Sequence, residues 1–238
     1  MSFPLAILYS PKPELLVLLP SLHDTFVLLM IWLAIVILCY LIGSFPSGYL
    51  VGKSQGIDIR QHGSGNIGAT NVLRVMGKKW GYFVFLCDSL KGFLAVKLGV
   101  LSAAAAGTGA DVTLAGVVGG ICCIIGHNYT VWLGFKGGKG IATSIGVLLA
   151  IEPILIVMIV LLVWLAVFFI WQYVSLASIS AALSLPLAVL ILFPLVAHGN
   201  YWVLVIFSII VATLAVWRHR SNIDRLLQGK ENRFGSKR

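Results

Sequence analysis

The residues best suited to chemistry lie in Gly63-Ser64-Gly65-Asn66-Ile67-Gly68-Ala69-Thr70-Asn71-Val72-Leu73-Arg74. The side chains of Ser64, Asn66, Thr70 and Asn71 can hydrogen-bond an anion. Gly63, Gly65 and Gly68 let backbone N–H groups approach one closely, and Arg74 adds a cation. A second stretch of the same character runs from Gly126 to Gly140 and contains Lys136 and Lys139. A helix start at about Gly140 would add its own attraction for an anion. The pattern suits the binding of phosphate groups. It shows neither a nucleophile–base–acid triad nor a metal cluster. Positioning and charge stabilisation are therefore expected as the main catalytic terms.

Two familiar glycine motifs do not apply. Gly63, Gly65 and Gly68 match G-x-G-x-x-G, with Asp88 20 residues on. A dinucleotide site needs a βαβ unit around the glycines, and here apolar segments flank them. The run Gly134 to Gly140 resembles a P-loop but is one residue short, and Gly140 replaces the magnesium-binding Ser or Thr.

Further candidates lie along the chain. His219 and Asp224 have the H-x-x-x-x-D spacing of acyl-CoA-dependent acyltransferases. On a helix, five residues rotate by about 140°, so that pair diverges, whereas His219 and Asn222 share a face. Ser175 and Ser178 lie one turn apart, either capping and packing a helix start or presenting two hydroxyls to the anion pocket. His127 either braces the second loop or contacts ligand. His23 and His198 are expected to be solvent-side and idle.

The elements that must position these residues are apolar. The chain of 238 residues is 59% hydrophobic and only 11% charged, where a soluble domain has roughly 25% charged residues. No Asp, Glu, Lys or Arg occurs from Phe26 to Gly52, nor over the 65 residues from Pro153 to Trp217. A crossing needs about 20 apolar residues, so the longer run has room for three. The expected fold is all-α: a polytopic membrane protein of seven transmembrane helices.

The crossings are placed at about 26–50, 80–105, 112–126, 141–150, 154–171, 175–197 and 201–217. The fourth is short, and Gly137–Gly140 could thicken it or leave it a half-span. Asp88 and Lys91, spaced i, i+3 within the second crossing, can pair and so lower the cost of two buried charges. Lys97 is expected to snorkel. This gives an N-terminal extension over 1–25, one transmembrane domain over 26–217 with motif loops 51–79 and 127–140, and a basic tail over 218–238. The N-terminus has no basic opening like that of a signal peptide and is expected to be retained.

Of the 17 Lys and Arg residues, 14 fall in the two motif loops and the tail, while Asp111 and Glu152 mark links on the other side. The positive-inside rule puts both loops and the C-terminus in the cytoplasm and the N-terminus outside. The net charge of +9 reflects this bias and attraction to anionic lipid, without any need for nucleic acid. Cys39, Cys87, Cys122 and Cys123 lie in apolar stretches without metal-site spacing and are expected to be inert thiols.

Several segments closely resemble the PlsY-type acyl-phosphate:glycerol-3-phosphate acyltransferases of bacteria. They are 63–74 (GSGNIGATNVLR), 126–143 (GHNYTVWLGFKGGKGIAT), 173–179 (YVSLASI) and 218–227 (RHRSNIDRLL), with 43–48 and 88–92 alongside. Thr130 departs from the pattern, standing where a proline is common. The resemblance implies seven transmembrane helices in the bacterial inner membrane and an active site facing the cytoplasm. It implies transfer of a fatty acyl group from acyl phosphate to the sn-1 hydroxyl of glycerol 3-phosphate, the first step of phospholipid synthesis. Products are lysophosphatidic acid and inorganic phosphate, with no cofactor and no metal. By match, Ser64, Arg74 and Lys139 would bind phosphate, and His219 and Asn222 would contact the glycerol phosphate. Asn66, Asn71, Gly137, Gly138, Gly140, Ser175, Ser178 and His127 are the further substrate-binding candidates. The acyl phosphate is expected against the Gly137–Gly140 backbone, with a substrate phosphate taking the hydroxyl proton. The rival reading, an organic-anion or phosphate transporter, would usually show an internal repeat and midplane polar residues, and neither is evident here.

Overall fold

The computed structural model describes residues 22–107, 109–151, 153–196 and 200–235. The expectations for residues 1–21, Glu152, His198 and the last three tail residues lie outside them. Among the described residues every regular element is helical. The chain runs α1 (Leu22–Ser44), α2 (Ser47–Ser54), α3 (Ala69–Met76), α4 (Lys78–Ala105) and α5 (Val112–Asn128). It continues through α6 (Ile141–Ile151), α7 (Ile154–Trp171), α8 (Val174–Val196), α9 (Tyr201–Arg218) and α10 (Arg220–Leu227).

Among the described residues five segments are long and apolar enough to cross a membrane: Leu22–Ser54, Val112–Leu133, Ile154–Trp171, Val174–Leu195 and Tyr201–Arg218. α7 shows most plainly what surrounds it. Only Ile156 is buried along its length, and Leu155, Met158, Leu162, Phe169 and Ile170 face outward. Such a surface suits lipid and not water.

Three boundaries differ from the sequence reading. The expected first crossing at 26–50 is broken: α1 already includes residues 22–25 and stops at Ser44, and α2 begins at Ser47. Pro46 has no N–H to continue the ladder and disfavours a helical Phe45. The loop expected over 51–79 contains α3, which carries Arg74, and the tail contains α10. The short α6 is not extended by Gly137–Gly140. Gly140 adopts φ +82, a left-handed conformation that stops the helix on its N-terminal side.

α4 has 28 residues and carries Lys78, Lys79, Asp88, Lys91 and Lys97, which excludes it from the purely apolar spans. Asp88 and Lys91 do pair, with Nζ 2.8 Å from Oδ1 and both side chains buried. One apolar core joins α4, α5, α6, α8 and α9 around Val96, Ile124, Val147, Leu185 and Phe207. A second joins α1, α4 and α5 around Ile35, Cys39, Ala95 and Cys123. A third, with Val51, Ile59, Ile67, Val72 and Val84, lies beneath the first polar loop. All four cysteines are free thiols.

Close helix contact sets the position of α6. A Cβ on Gly146 would stand 1.7 Å from the Ser89 carbonyl oxygen of α4. Gly146→Ala should therefore force the two helices apart and lower stability by about 1–3 kcal/mol, the range for overpacking. A fall in the thermal midpoint of the detergent-solubilised protein would register it; an unchanged midpoint would contradict this packing.

Candidate functional site

The first polar loop is built around one side chain. Asn71 is buried, and its Oδ1 accepts the Ser64 N–H at 2.8 Å. Its Nδ2 donates to the carbonyls of Asn66 at 2.8 Å, His62 at 3.0 Å and Ile59 at 3.3 Å. Asn66 Oδ1 in turn accepts the Gly68 N–H at 2.7 Å, just before α3. Both amides thus shape the loop that holds Ser64 and the helix that carries Arg74. Ser64 and Arg74 stay exposed on its surface.

The second loop folds back onto the end of α5. The Gly137 N–H donates to Asn128 O at 3.2 Å and the Gly138 N–H to His127 O at 3.0 Å. Arg218, the last residue of α9, donates to the carbonyls of Gly137 at 3.0 Å and Gly138 at 2.8 Å, and lies over the Tyr129 ring. The Gly137 and Gly138 amides are therefore already partnered inside the protein. An anion held against their N–H groups, as the sequence suggested, has no free donor there. The Thr130 hydroxyl donates to Ser44 O, tying this loop to the end of α1.

Between the loops lies a cavity of about 530 Å³. Its polar wall includes Ser64, Asn66, Asn71, Arg74, His127, Lys139, Gly140, Ser175, Ser178, His219 and Asn222. Residues from both loops, the start of α8 and the tail thus meet, and the Lys139–Asn222 bond alone joins positions 83 apart. Gly137 and Gly138 are not in the wall. Asp224 is exposed on the other side of α10, while His219 and Asn222 are buried together, as the helical rotation required. His23 is exposed beside Asp24 on α1, away from the cavity. Leu73, Tyr82, Phe85, Ile145, Trp164 and Phe168 form an apolar extension of the same cavity.

Three polar groups outside the candidate set complete the site: Glu231 and Arg225 in the wall and Arg218 behind it. Glu231 Oε1 accepts from Ser175 Oγ at 2.9 Å and Asn222 Nδ2 at 2.7 Å, while Oε2 accepts from Arg225 Nε at 2.7 Å. The signal available in the sequence was an acid standing among the cations of the tail. The structure also separates the two serines, since Ser178 Oγ accepts from Trp164 Nε1 at 3.2 Å instead.

Burial and charge tune the site. Burial lowers Lys139 to a pKa of about 8; Glu231 opposes the shift, and Arg225, Arg218 and Arg74 add to it. The Lys139 ammonium donates to Asn222 Oδ1. Burial, then Lys139, lowers His219 to about 4, so the ring is neutral near pH 7. Its Nδ1 lies 2.8 Å from Ala215 O, an atom that can only accept. The proton therefore sits on Nδ1, and Nε2 keeps a lone pair. Burial alone would raise Glu231, but the hydrogen bonds from Asn222, Arg225 and Ser175 hold its carboxyl below the usual range.

Residues 33–229 match the family model described as glycerol-3-phosphate acyltransferase. A glycerol-3-phosphate acyltransferase of Desulforudis audaxviator is 46% identical over 198 residues, covering 83% of this chain and 92% of that protein. One from Aquifex aeolicus is 45% identical over 203 residues, covering 85% and 98%. The fold is similar to the crystal structure of PlsY, an integral membrane glycerol 3-phosphate acyltransferase, in its glycerol 3-phosphate form. The TM-score is 0.72 at 41% identity, over 86% of this chain and 96% of that one. Its lysophosphatidic acid form matches with a TM-score of 0.71 at 42% identity, over 86% and 95%. On sequence, fold and shared length, this chain belongs to the glycerol-3-phosphate acyltransferase family.

Proposed function

We propose that the protein transfers a fatty acyl group from acyl phosphate to the sn-1 hydroxyl of glycerol 3-phosphate. The products are lysophosphatidic acid and inorganic phosphate, as the first step of phospholipid synthesis. One observation carries this reading: a single cavity joins a cationic polar wall, with Arg74, Lys139 and Arg225, to an apolar extension lined by Phe85, Ile145 and Trp164. A substrate with a phosphate head and a long acyl tail matches both parts.

The residues have distinct tasks. Glycerol 3-phosphate enters from the cytoplasm, drawn by the basic rim, and its phosphate is gripped by Arg74, Lys139 and Ser64. The neutral His219 accepts a hydrogen bond at Nε2 from a glycerol hydroxyl, and Asn222 orients Lys139. Ser175 lies beside this polar cluster, and Ser178 sits further along α8 near the apolar wall. The hydroxyl oxygen attacks the acyl carbon, the bond from that carbon to the phosphate oxygen breaks, and phosphate leaves with the electron pair. A substrate phosphate oxygen takes the hydroxyl proton. Tight positioning and waiting cations supply the rate enhancement.

The same reading places α1, α4, α5, α6, α7, α8 and α9 across the bacterial inner membrane as seven transmembrane helices, N-terminus outside and C-terminus cytoplasmic. Its support is that all cavity-lining loops then fall on one side, together with most of the cations.

The deciding experiment follows phosphate release by the purified protein with palmitoyl phosphate and glycerol 3-phosphate, with palmitoyl-CoA as a parallel donor. Release should require both substrates and yield lysophosphatidic acid, and Asp224→Asn should retain activity. Turnover with the CoA ester alone would overturn the assignment of donor. No turnover with either donor, in folded protein, would favour anion transport in vesicles.

Arg74→Lys keeps the charge but loses the two-pronged grip on phosphate. It should lower kcat/KM by about 10- to 100-fold, matching the ~1.5–3 kcal/mol of a hydrogen bond to a charged group. Near-normal turnover would dismiss the bidentate role.

Lys139 yields a pH test. With a pKa of about 8, it loses its charge as pH rises through that value. A phosphate monoester is already a dianion there, its second pKa being about 6. The kcat/KM for glycerol 3-phosphate should therefore fall above about pH 8 in the wild type. In Lys139→Arg the fall should move to higher pH. An identical profile for both proteins would remove Lys139 from phosphate binding.

A further inference from the structure

A buried polar cluster lies where α1, α2, α4 and α5 meet, and the reaction steps above make no use of it. Lys91 Nζ is 2.8 Å from Asp88 Oδ1, 2.9 Å from the Phe45 carbonyl oxygen and 2.9 Å from His127 Nδ1. The Ser47 hydroxyl donates to the same Asp88 oxygen, which is 3.6 Å from His127 Nδ1. Asp88, Lys91 and His127 are all buried. Among the described residues Arg218 of α9, bound to the Gly137 and Gly138 carbonyls, is a further charge that acts on His127.

A proton count fixes the chemistry of His127. An ammonium has three hydrogens and no lone pair. Lys91 has three acceptors in place, on Asp88, Phe45 and His127. His127 must therefore offer Nδ1 as a bare nitrogen, and a neutral ring then carries its proton on Nε2. That edge of the ring abuts the second loop: a Cβ on Gly138 would stand 2.1 Å from Nε2. The His127 carbonyl accepts the Gly138 N–H as well. Gly138 thus packs against the ring and bonds to the main chain of one residue, and the next residue is Lys139.

We propose that Asp88 and Lys91 are positioning residues for the acyl-transfer site. They lock His127 as the neutral Nε2–H tautomer, and His127 sets Gly138 and so the reach of the Lys139 ammonium into the cavity. The break at Phe45–Pro46 belongs to the device, because it presents the Phe45 carbonyl to Lys91. The proposal rests on the phosphate-binding role of Lys139 given above. An ion pair that only fastened α4 would leave the tautomer unconstrained and substrate affinity unchanged.

The test is nitrogen NMR of the whole protein labelled with 15N-histidine, the His127 signals identified by their loss in His127→Gln. Wild-type His127 should show a bare Nδ1 and a protonated Nε2. In Lys91→Met the ammonium is gone while Asp88 keeps its charge; His127 should take a proton from water and show both nitrogens protonated. The same variant should raise the KM for glycerol 3-phosphate about tenfold, with a smaller change in kcat, as a displaced binding group requires. A wild-type His127 protonated on Nδ1 overturns the proposal. So does a folded Lys91→Met with wild-type spectrum and KM. Should Lys91→Met not fold, the wild-type spectrum still decides. A wild type without turnover would bring down the acyl-transfer reading and leave the tautomer result standing.

Discussion

The arrangement of the site depends on one carboxylate among cations. Arg74, Lys139 and Arg225 line one cavity, and Arg218 lies just behind it. Like charges so placed repel one another and resist burial. Glu231 relieves this by accepting from Arg225, Asn222 and Ser175 together. Those bonds also fasten the tail over the start of α8. There Phe234 packs edge-on against Phe168, and its N–H donates to Gln172 O at 2.8 Å. The tail is accordingly part of the cavity wall and not merely a basic rim beside it.

A second constraint comes from the setting. Irregular backbone next to a bilayer needs partners for its N–H and C=O groups, since lipid supplies none. The two polar loops meet this need in different ways. Asn71 supplies one amide to four points of the first loop, and the carbonyls of α5 with the guanidinium of Arg218 do the same for the second. Much of the polar density that attracts attention in the sequence therefore builds loops. A smaller set faces the cavity without being used to build a loop: Ser64, Arg74, Lys139 and His219, with Asn222 bonded to Lys139 and Ser175 bonded to Glu231.

The polar set is preorganised. His219 is neutral with its proton fixed toward Ala215, and Lys139 is already directed by Asn222. In the proposed reaction a substrate phosphate takes the proton, so no side chain needs to be a strong base. The apolar wall of Phe85, Ile145 and Trp164 adjoins this polar set within one cavity.

The sequence alone determined what acts over one helical turn or one span. Uncharged length located the apolar helices, i, i+3 spacing predicted the Asp88–Lys91 pair, and helical rotation joined His219 to Asn222 and separated Asp224. Pro46 was there to be read as the break after α1, but continuous hydropathy concealed it. Only the tertiary structure decided which polar groups remain free. Gly137 and Gly138 look like anion donors until α5 folds against them, and Ser175 and Ser178 look alike until Glu231 and Trp164 choose between them. Those partners lie far apart in the chain, 56 residues for Ser175 and Glu231. Local rules reach a turn or two; beyond that, helix packing sets which side chains meet, and with them which charges are compensated.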